Sequence, residues 1–292
     1  MKPFRRHLRI LILAVVGLAL LAGCAVLDEK QRAWIFQPSD RAWGNSGAAA
    51  QGMDEVWVDF QSKITQQPVK LHGLWHAADP GKTGAGASDA TGGPVLLYLH
   101  GARWNVNGSS MRVRRMQELG FSVLAIDYRG FGKTSGELPS EEMAYEDARA
   151  AWDWLAARYP NRPRYIFGHS LGGAIAVELA TQVHDEAGTI VEGTFTSIPE
   201  VFGSMKWGWL PVSALITQRF EAAGKVGRIG SPLLVVHGSE DSTIKPELGR
   251  KLFEAAVAPK AFVLVEGGSH FNTNSLGQSE YRRALAELFN LR

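Results

Sequence analysis

The 292-residue chain has one cysteine, Cys24, and that scarcity removes several readings at once. An internal disulfide needs two thiols, so no disulfide framework holds this fold. No Cys/His spacing of the zinc type occurs, so no zinc module is written into the sequence. An excess of one charge is also missing. The formal net charge is +2, from 31 basic and 29 acidic side chains. Four of the basic ones, Lys2, Arg5, Arg6 and Arg9, fall in the first ten residues. Beyond residue 23 the balance is 27 basic against 29 acidic, and no basic field remains to attract nucleic acid. There is no internal repeat. No Gly-Lys-Ser/Thr sequence opens a helix, so the glycine-rich stretch 79–94 is no phosphate loop. It is too polar to be buried and reads as a surface loop. The apolar run Ile10–Leu21 stops short of the roughly 20 residues that span a bilayer comfortably. What remains is ordinary globular material, 45% hydrophobic and 21% charged. Its length suits one large α/β domain with a substantial core.

The N-terminus has the build of a secretory signal. A basic segment, Lys2 to Arg9, precedes the apolar run, and small residues lead to a cut. Leu21-Ala22-Gly23-Cys24 resembles the bacterial lipobox, in which the cysteine is lipidated and becomes the mature N-terminus. The one cysteine of the chain stands at the one position that motif requires. The resemblance implies a signal peptide at 1–23, a membrane anchor through lipid on Cys24 and a place in the bacterial cell envelope. Ala25, where an Asp would favour inner-membrane retention, points to the periplasmic face of the outer membrane in a Gram-negative cell. An ordinary signal, or a short anchor with an incidental cysteine, is the competing reading. Residues 24–54 are expected to be a tether, with Trp34, Phe36 and Trp43 packing on the domain and 44–52 a loop.

From residue 55 the pattern alternates strand and helix. Val56–Phe60 and Val69–Trp75 read as an antiparallel pair. Val95–Leu99 and Phe121–Ile126 are continuous apolar runs, the mark of strands buried on both faces. Residues 108–119 predict a helix, with Arg112, Arg114 and Arg115 expected on its solvated side. Glu141–Tyr159 predicts another, with Ala144, Ala148, Ala151, Trp152 and Leu155 on one face and Ser140 as N-cap. Strands are further expected at 163–167, 190–197, 232–236 and 261–265, and helices at 174–183, 247–256 and 278–289. Residues 199–229, rich in apolar side chains, read as a small helical insertion before the acid-bearing strand. The sum is an α/β fold, a mostly parallel sheet covered on both faces. Such sheets bind ligands beyond the carboxyl ends of their strands.

The chemistry-bearing residues fall at those ends. Gly168-His169-Ser170-Leu171-Gly172 lies between a strand and a helix, the nucleophile-elbow pattern that raises a serine above the sheet. Serine is a weak nucleophile until a base takes its proton, and the base needs a group to fix its tautomer. Asp241 and His270 follow later strands, in the order Ser, Asp, His. With the His100-Gly101 turn, the Asp127-Tyr128-Arg129-Gly130-Phe131-Gly132 loop, the His237–Asp241 turn and the Gly268-Ser269-His270 end, the chain resembles the alpha/beta-hydrolase superfamily. The likeness runs from about residue 55 to the end and is to the small esterases, lipases and thioesterase-like serine hydrolases. It implies Ser170 as nucleophile, His270 as general base and then acid, and Asp241 as the group orienting His270. The backbone N–H groups of Ala102 and Leu171 would form the oxyanion hole. It implies no cofactor and no metal.

Other residues compete for these roles. Glu240 neighbours Asp241 as an alternative acid. His169 is expected to be an elbow residue only, and His72 to have a packing or surface role. Asp127 and Arg129 are expected to be structural. The oxyanion turn departs from the Gly-Gly run of many lipases, which makes Arg103 and Trp104 candidate substrate contacts, with Trp207 and Trp209 of the insertion. The implied activity is hydrolysis of a carboxylic ester or thioester, with small acyl or lipid-like substrates. A peptidase or amidase on the same residues, or a non-catalytic envelope lipoprotein binding an acyl ligand, are the alternatives.

Overall fold

A computed structural model describes residues 2–39, 46–79, 92–103, 105–205, 208–211 and 213–291. Its frame is an eight-stranded sheet: β1 (Asp54–Gln61), β2 (Pro68–His76), β3 (Val95–Leu99), β4 (Ser122–Ile126), β5 (Arg164–His169), β6 (Glu186–Glu192), β7 (Leu233–Gly238) and β8 (Lys260–Val265). Their spatial order is β1-β2-β4-β3-β5-β6-β7-β8. Strand β1 pairs antiparallel with β2, and β2 with β4; every other neighbouring pair is parallel. The helices are α1 (Lys2–Phe36), α2 (Ser46–Ala49), α3 (Ser110–Glu118), α4 (Glu141–Arg158), α5 (Leu171–Gln182), α6 (Ile198–Gly203), α7 (Pro246–Ala255), α8 (Thr273–Leu276) and α9 (Gln278–Phe289).

Strand periodicity divides the core between the two faces of the sheet. Val95, Leu97 and Leu99 of β3 join one cluster with apolar side chains of α4, α5 and α7, while Leu96 and Tyr98 join the other with α3 and α9. All five residues of β3 are buried, because helices cover both sides. Ser140 caps α4 by accepting a hydrogen bond from the Met143 N–H at 3.2 Å, as its sequence context requires.

Two expected boundaries move. Strand β6 begins at Glu186 and ends at Glu192, not at Ser197. Gly193 takes φ +56, a left-handed turn that breaks the extended run. Thr194–Ser197 then lead to α6, whose first turn is capped by Ser197. The second difference is at the N-terminus. The segment expected as a tether is helical through Phe36, and Ile35 and Phe36 belong to the core. The Phe36 ring lies edge-on to Phe131 and Phe220, at 6.4 and 5.7 Å. Polar contacts reinforce the docking: Gln218 and Thr217 donate to Asp28, and the Thr217 N–H to Gln31. Residues 46–49 of the expected loop form α2. Among the described residues no helix is long and apolar enough to cross a membrane.

The insertion is partly core and partly surface. Phe220, Ala222 and Val226 are buried, whereas Met205, Trp209, Leu210 and Leu215 are exposed. The stretch 80–91 of the expected surface loop lies outside the described residues.

Candidate active site

Ser170 sits between β5 and α5 with φ 55 and ψ −121, a backbone state that L-residues other than glycine rarely hold without strain. Close packing imposes it. A Cβ on Gly168 would stand 2.2 Å from the Gly172 carbonyl oxygen, and one on Gly172 would stand 2.1 Å from that of Leu99. Only glycine lets strand, turn and helix approach this closely. The Ser170 N–H is held by the Glu192 carbonyl at 2.9 Å.

The fold brings the three predicted residues into one chain. Ser170 Oγ lies 3.0 Å from His270 Nε2, and His270 Nδ1 lies 2.7 Å from Asp241 Oδ2. The other oxygen, Oδ1, accepts from the N–H groups of Thr243 and Ile244 at 2.9 and 2.8 Å. Burial works to raise the Asp241 pKa, but hydrogen bonds from His237 and His270 and the backbone donors prevail and hold it well below the usual carboxylate range. Asp241 is therefore an anion at neutral pH and accepts the Nδ1 proton of His270, which leaves Nε2 free to face the serine. Glu240 is exposed and does not enter this chain.

Ser170 and His270 open into a cavity of about 650 Å³. Ala102 and Leu171, the expected oxyanion donors, line it, and Leu171, the first residue of α5, has no acceptor for its N–H within the helix. Arg103 also lines it, exposed, with φ 72, and its N–H donates to the Phe36 carbonyl at 2.8 Å. The end of α1 thus props the turn that carries Ala102, and Trp34 and Ile35 form part of the wall. Trp104 and Trp207 lie outside the described residues. Trp209 is 73% exposed and does not line the cavity, because its segment of the insertion turns outward. Cys24 is a free, exposed thiol on α1.

Two expectations about neighbouring residues change, those for Arg112 and His169, while His72 takes the packing role expected of it. Arg112 is not solvated; its side chain is 12% exposed, pairs with Glu192 at 2.9 Å and donates to the carbonyls of His270 and Phe271. His169 is more than an elbow residue: Nε2 lies 3.1 Å from Arg112 Nη2, and burial with the Arg112 charge keeps its pKa well below the ordinary histidine value. His72 is buried and bonds to Asp127 at 3.1 Å. Asp127 in turn accepts from the Val106 N–H at 2.6 Å and braces the turn after β3. No signal in a single sequence marks Arg112, since its anion is 80 residues away.

Comparison with known proteins agrees with this fold. A family model described as serine aminopeptidase, S33, matches residues 93–225. An uncharacterised protein of Mycobacterium tuberculosis is 32% identical over 264 residues, 89% of this chain and 87% of that one. The esterase Pf2001 of Pyrococcus furiosus superposes with a TM-score of 0.64 over 88% of this chain and 97% of its own, at 18% identity. The chain belongs to the alpha/beta-hydrolase superfamily. This alpha/beta hydrolase is also 31% identical over 217 residues to the lysophosphatidylserine lipase ABHD12 of Danio rerio. That match takes in 65% of the hydrolase and 56% of the zebrafish protein. The S33 match ends before Asp241 and His270, so those two positions rest on the geometry and on the order of the strands.

Proposed function

We propose that this alpha/beta hydrolase is a serine hydrolase that cleaves a carboxylic ester or thioester through an acyl-enzyme, with lipid-like acyl substrates. The observation that carries the reading is the hydrogen-bonded chain Asp241–His270–Ser170 opening into a largely apolar cavity. Ser170 Oγ attacks the acyl carbon as its proton passes to His270 Nε2. The tetrahedral oxyanion is held by the N–H groups of Ala102 and Leu171. Its collapse breaks the bond to the leaving oxygen or sulfur, which takes the proton from His270. Water, deprotonated by His270, then attacks the acyl-serine, and release of the acid restores Ser170.

The cavity supports an amphiphilic acyl substrate. Trp34, Met111, Met205 and Phe271 line it and are exposed at its mouth, an apolar rim suited to acyl chains. No Asp or Glu is among the described residues lining it, whereas Arg103, Arg112 and Arg115 are. An aminopeptidase has a substrate ammonium to accommodate, so this lining favours the ester reading over the peptidase one. The name of the zebrafish relative extends the substrate class to lysophospholipids.

Purified full-length protein is expected to hydrolyse p-nitrophenyl esters with kcat/KM rising from acetyl to medium-chain acyl groups. It should act on thioesters and be slow on the matched anilides. Faster cleavage of the anilides would move the reading to a peptidase. Failure of a fluorophosphonate to label the folded protein would end the enzyme reading and leave the acyl-binding lipoprotein. The lipobox reading supplies the address, Cys24 acylated in the cell envelope. Cys24→Ser should abolish incorporation of an alkynyl fatty acid into the expressed chain; incorporation that persists would refute it.

A further inference from the structure

The serine and histidine come from segments 100 residues apart, and two residues, Glu192 and Arg112, join them without bonding to either reacting atom. Glu192 ends β6. Its backbone carbonyl takes the Ser170 N–H at 2.9 Å, and its carboxylate takes Arg112 Nε at 2.9 Å and the Tyr281 hydroxyl at 2.6 Å. Arg112 Nη2 then donates to the His270 carbonyl at 3.0 Å and the Phe271 carbonyl at 3.3 Å, and His169 Nε2 donates to the same His270 carbonyl at 3.1 Å. The circuit runs from Ser170 through Glu192 and Arg112 to the backbone of His270, and the Ser170–His270 hydrogen bond closes it.

From this circuit we infer that Arg112 is the positioning residue for His270, a role that rests on the serine-hydrolase reading above. The planar guanidinium suits it. Its fixed fork spans a carboxylate and two carbonyls, which a lysine ammonium does not reach together. Asp241 fixes the ring of His270 from the Nδ1 side, and Arg112 fixes the backbone from which the ring hangs. Phe271, which follows, is exposed at the cavity mouth, so the loop has little apolar packing of its own at that point. A displacement of about 1 Å at a reacting group costs as much as 100-fold in rate.

The test uses the full-length chain and two variants. Arg112→Lys keeps a cation for Glu192 but gives up the fork. The double variant Arg112→Met with Glu192→Gln removes both buried charges together, so neither is left unpaired. Melting temperature, kcat and KM on p-nitrophenyl butyrate, and the rate of fluorophosphonate labelling are measured on each. The expected result in every folded variant is a kcat lower by about 10- to 100-fold, KM within twofold of the parent, and labelling slowed by the same factor as kcat. Parental kcat in a folded variant overturns the inference. So does a raised KM at parental kcat, which makes Arg112 a substrate contact. Unfolding of both variants overturns it as well, because Arg112 would then hold the fold and not the histidine. A parent protein that resists labelling defeats the serine-hydrolase reading itself and is told apart by that result.

Discussion

Ser170→Ala is expected to remove fluorophosphonate labelling and to lower kcat on p-nitrophenyl butyrate by a factor on the order of 10⁶, as loss of the nucleophile does in such constellations. The methyl side chain keeps the space but has no oxygen to attack, and His270 loses its partner at 3.0 Å. A residual rate from binding and the oxyanion donors should persist above the uncatalysed one. A companion change separates chemistry from strain. Ser170 holds φ 55 with a side chain attached, at a cost of about 1–3 kcal/mol. Ser170→Gly relieves that strain and adds about 1 kcal/mol of chain entropy to the unfolded state. The inactive glycine variant should therefore melt at or above the parent temperature. A marked loss of stability would show that the turn is relaxed, and retained hydrolysis in either variant would place the nucleophile elsewhere.

Asp241→Asn is expected to lower kcat by about 10⁴-fold with the fold intact, since the amide presents a donor to Nδ1 and turns the ring to the wrong tautomer. Glu240→Gln should leave kcat within twofold, because that side chain is exposed and outside the chain of hydrogen bonds. The opposite pattern would make Glu240 the acid. The same substitution has a pH signature. The Asp241 carboxyl titrates well below its ordinary value in the folded state. Its contribution to stability is thus full above the unfolded pKa of about 4 and is lost as pH falls through the lower folded value. Acid unfolding followed by circular dichroism should therefore show a shallower loss of stability below pH 4 in Asp241→Asn than in the parent.

Much of this site was legible because its residues follow buried strands. Val95–Leu99, the run before Ser170 and the run before Asp241 each announce themselves by continuous apolar character. The residue just beyond a parallel strand's carboxyl end is where ligands meet a sheet. Order along the chain then assigned the serine, the acid and the base. Arg112 was hidden for the converse reason. It lies in a helix beside Arg114 and Arg115, where amphipathic spacing suggests solvent, and its burial follows from where Glu192 and the His270 loop arrive in three dimensions. The end of β6 is not legible because Thr194, Phe195 and Thr196 prolong the strand-like run past Gly193, and a positive φ leaves no mark on hydrophobicity. The packing of Phe36 is legible from its aromatic side chain, whereas the helical state of the segment that carries it is hidden by the signal-like residues before it.

On the lipobox reading, the docking of α1 would set a standoff distance. Helix α1 runs without a break from Cys24 to Phe36, and Phe36 is wedged between Phe131 and Phe220. The helix already touches the domain at Asp28, so four residues, about 6 Å of rise, separate Cys24 from that contact, with no loop to take up slack. On the lipobox reading, acyl chains on Cys24 would hold the domain on a stiff post, at one height and one tilt over the bilayer. A hydrolase mounted in that way samples the leaflet it stands in and little else. Its selectivity would then depend on which lipids share that leaflet as much as on the shape of the cavity around Ser170.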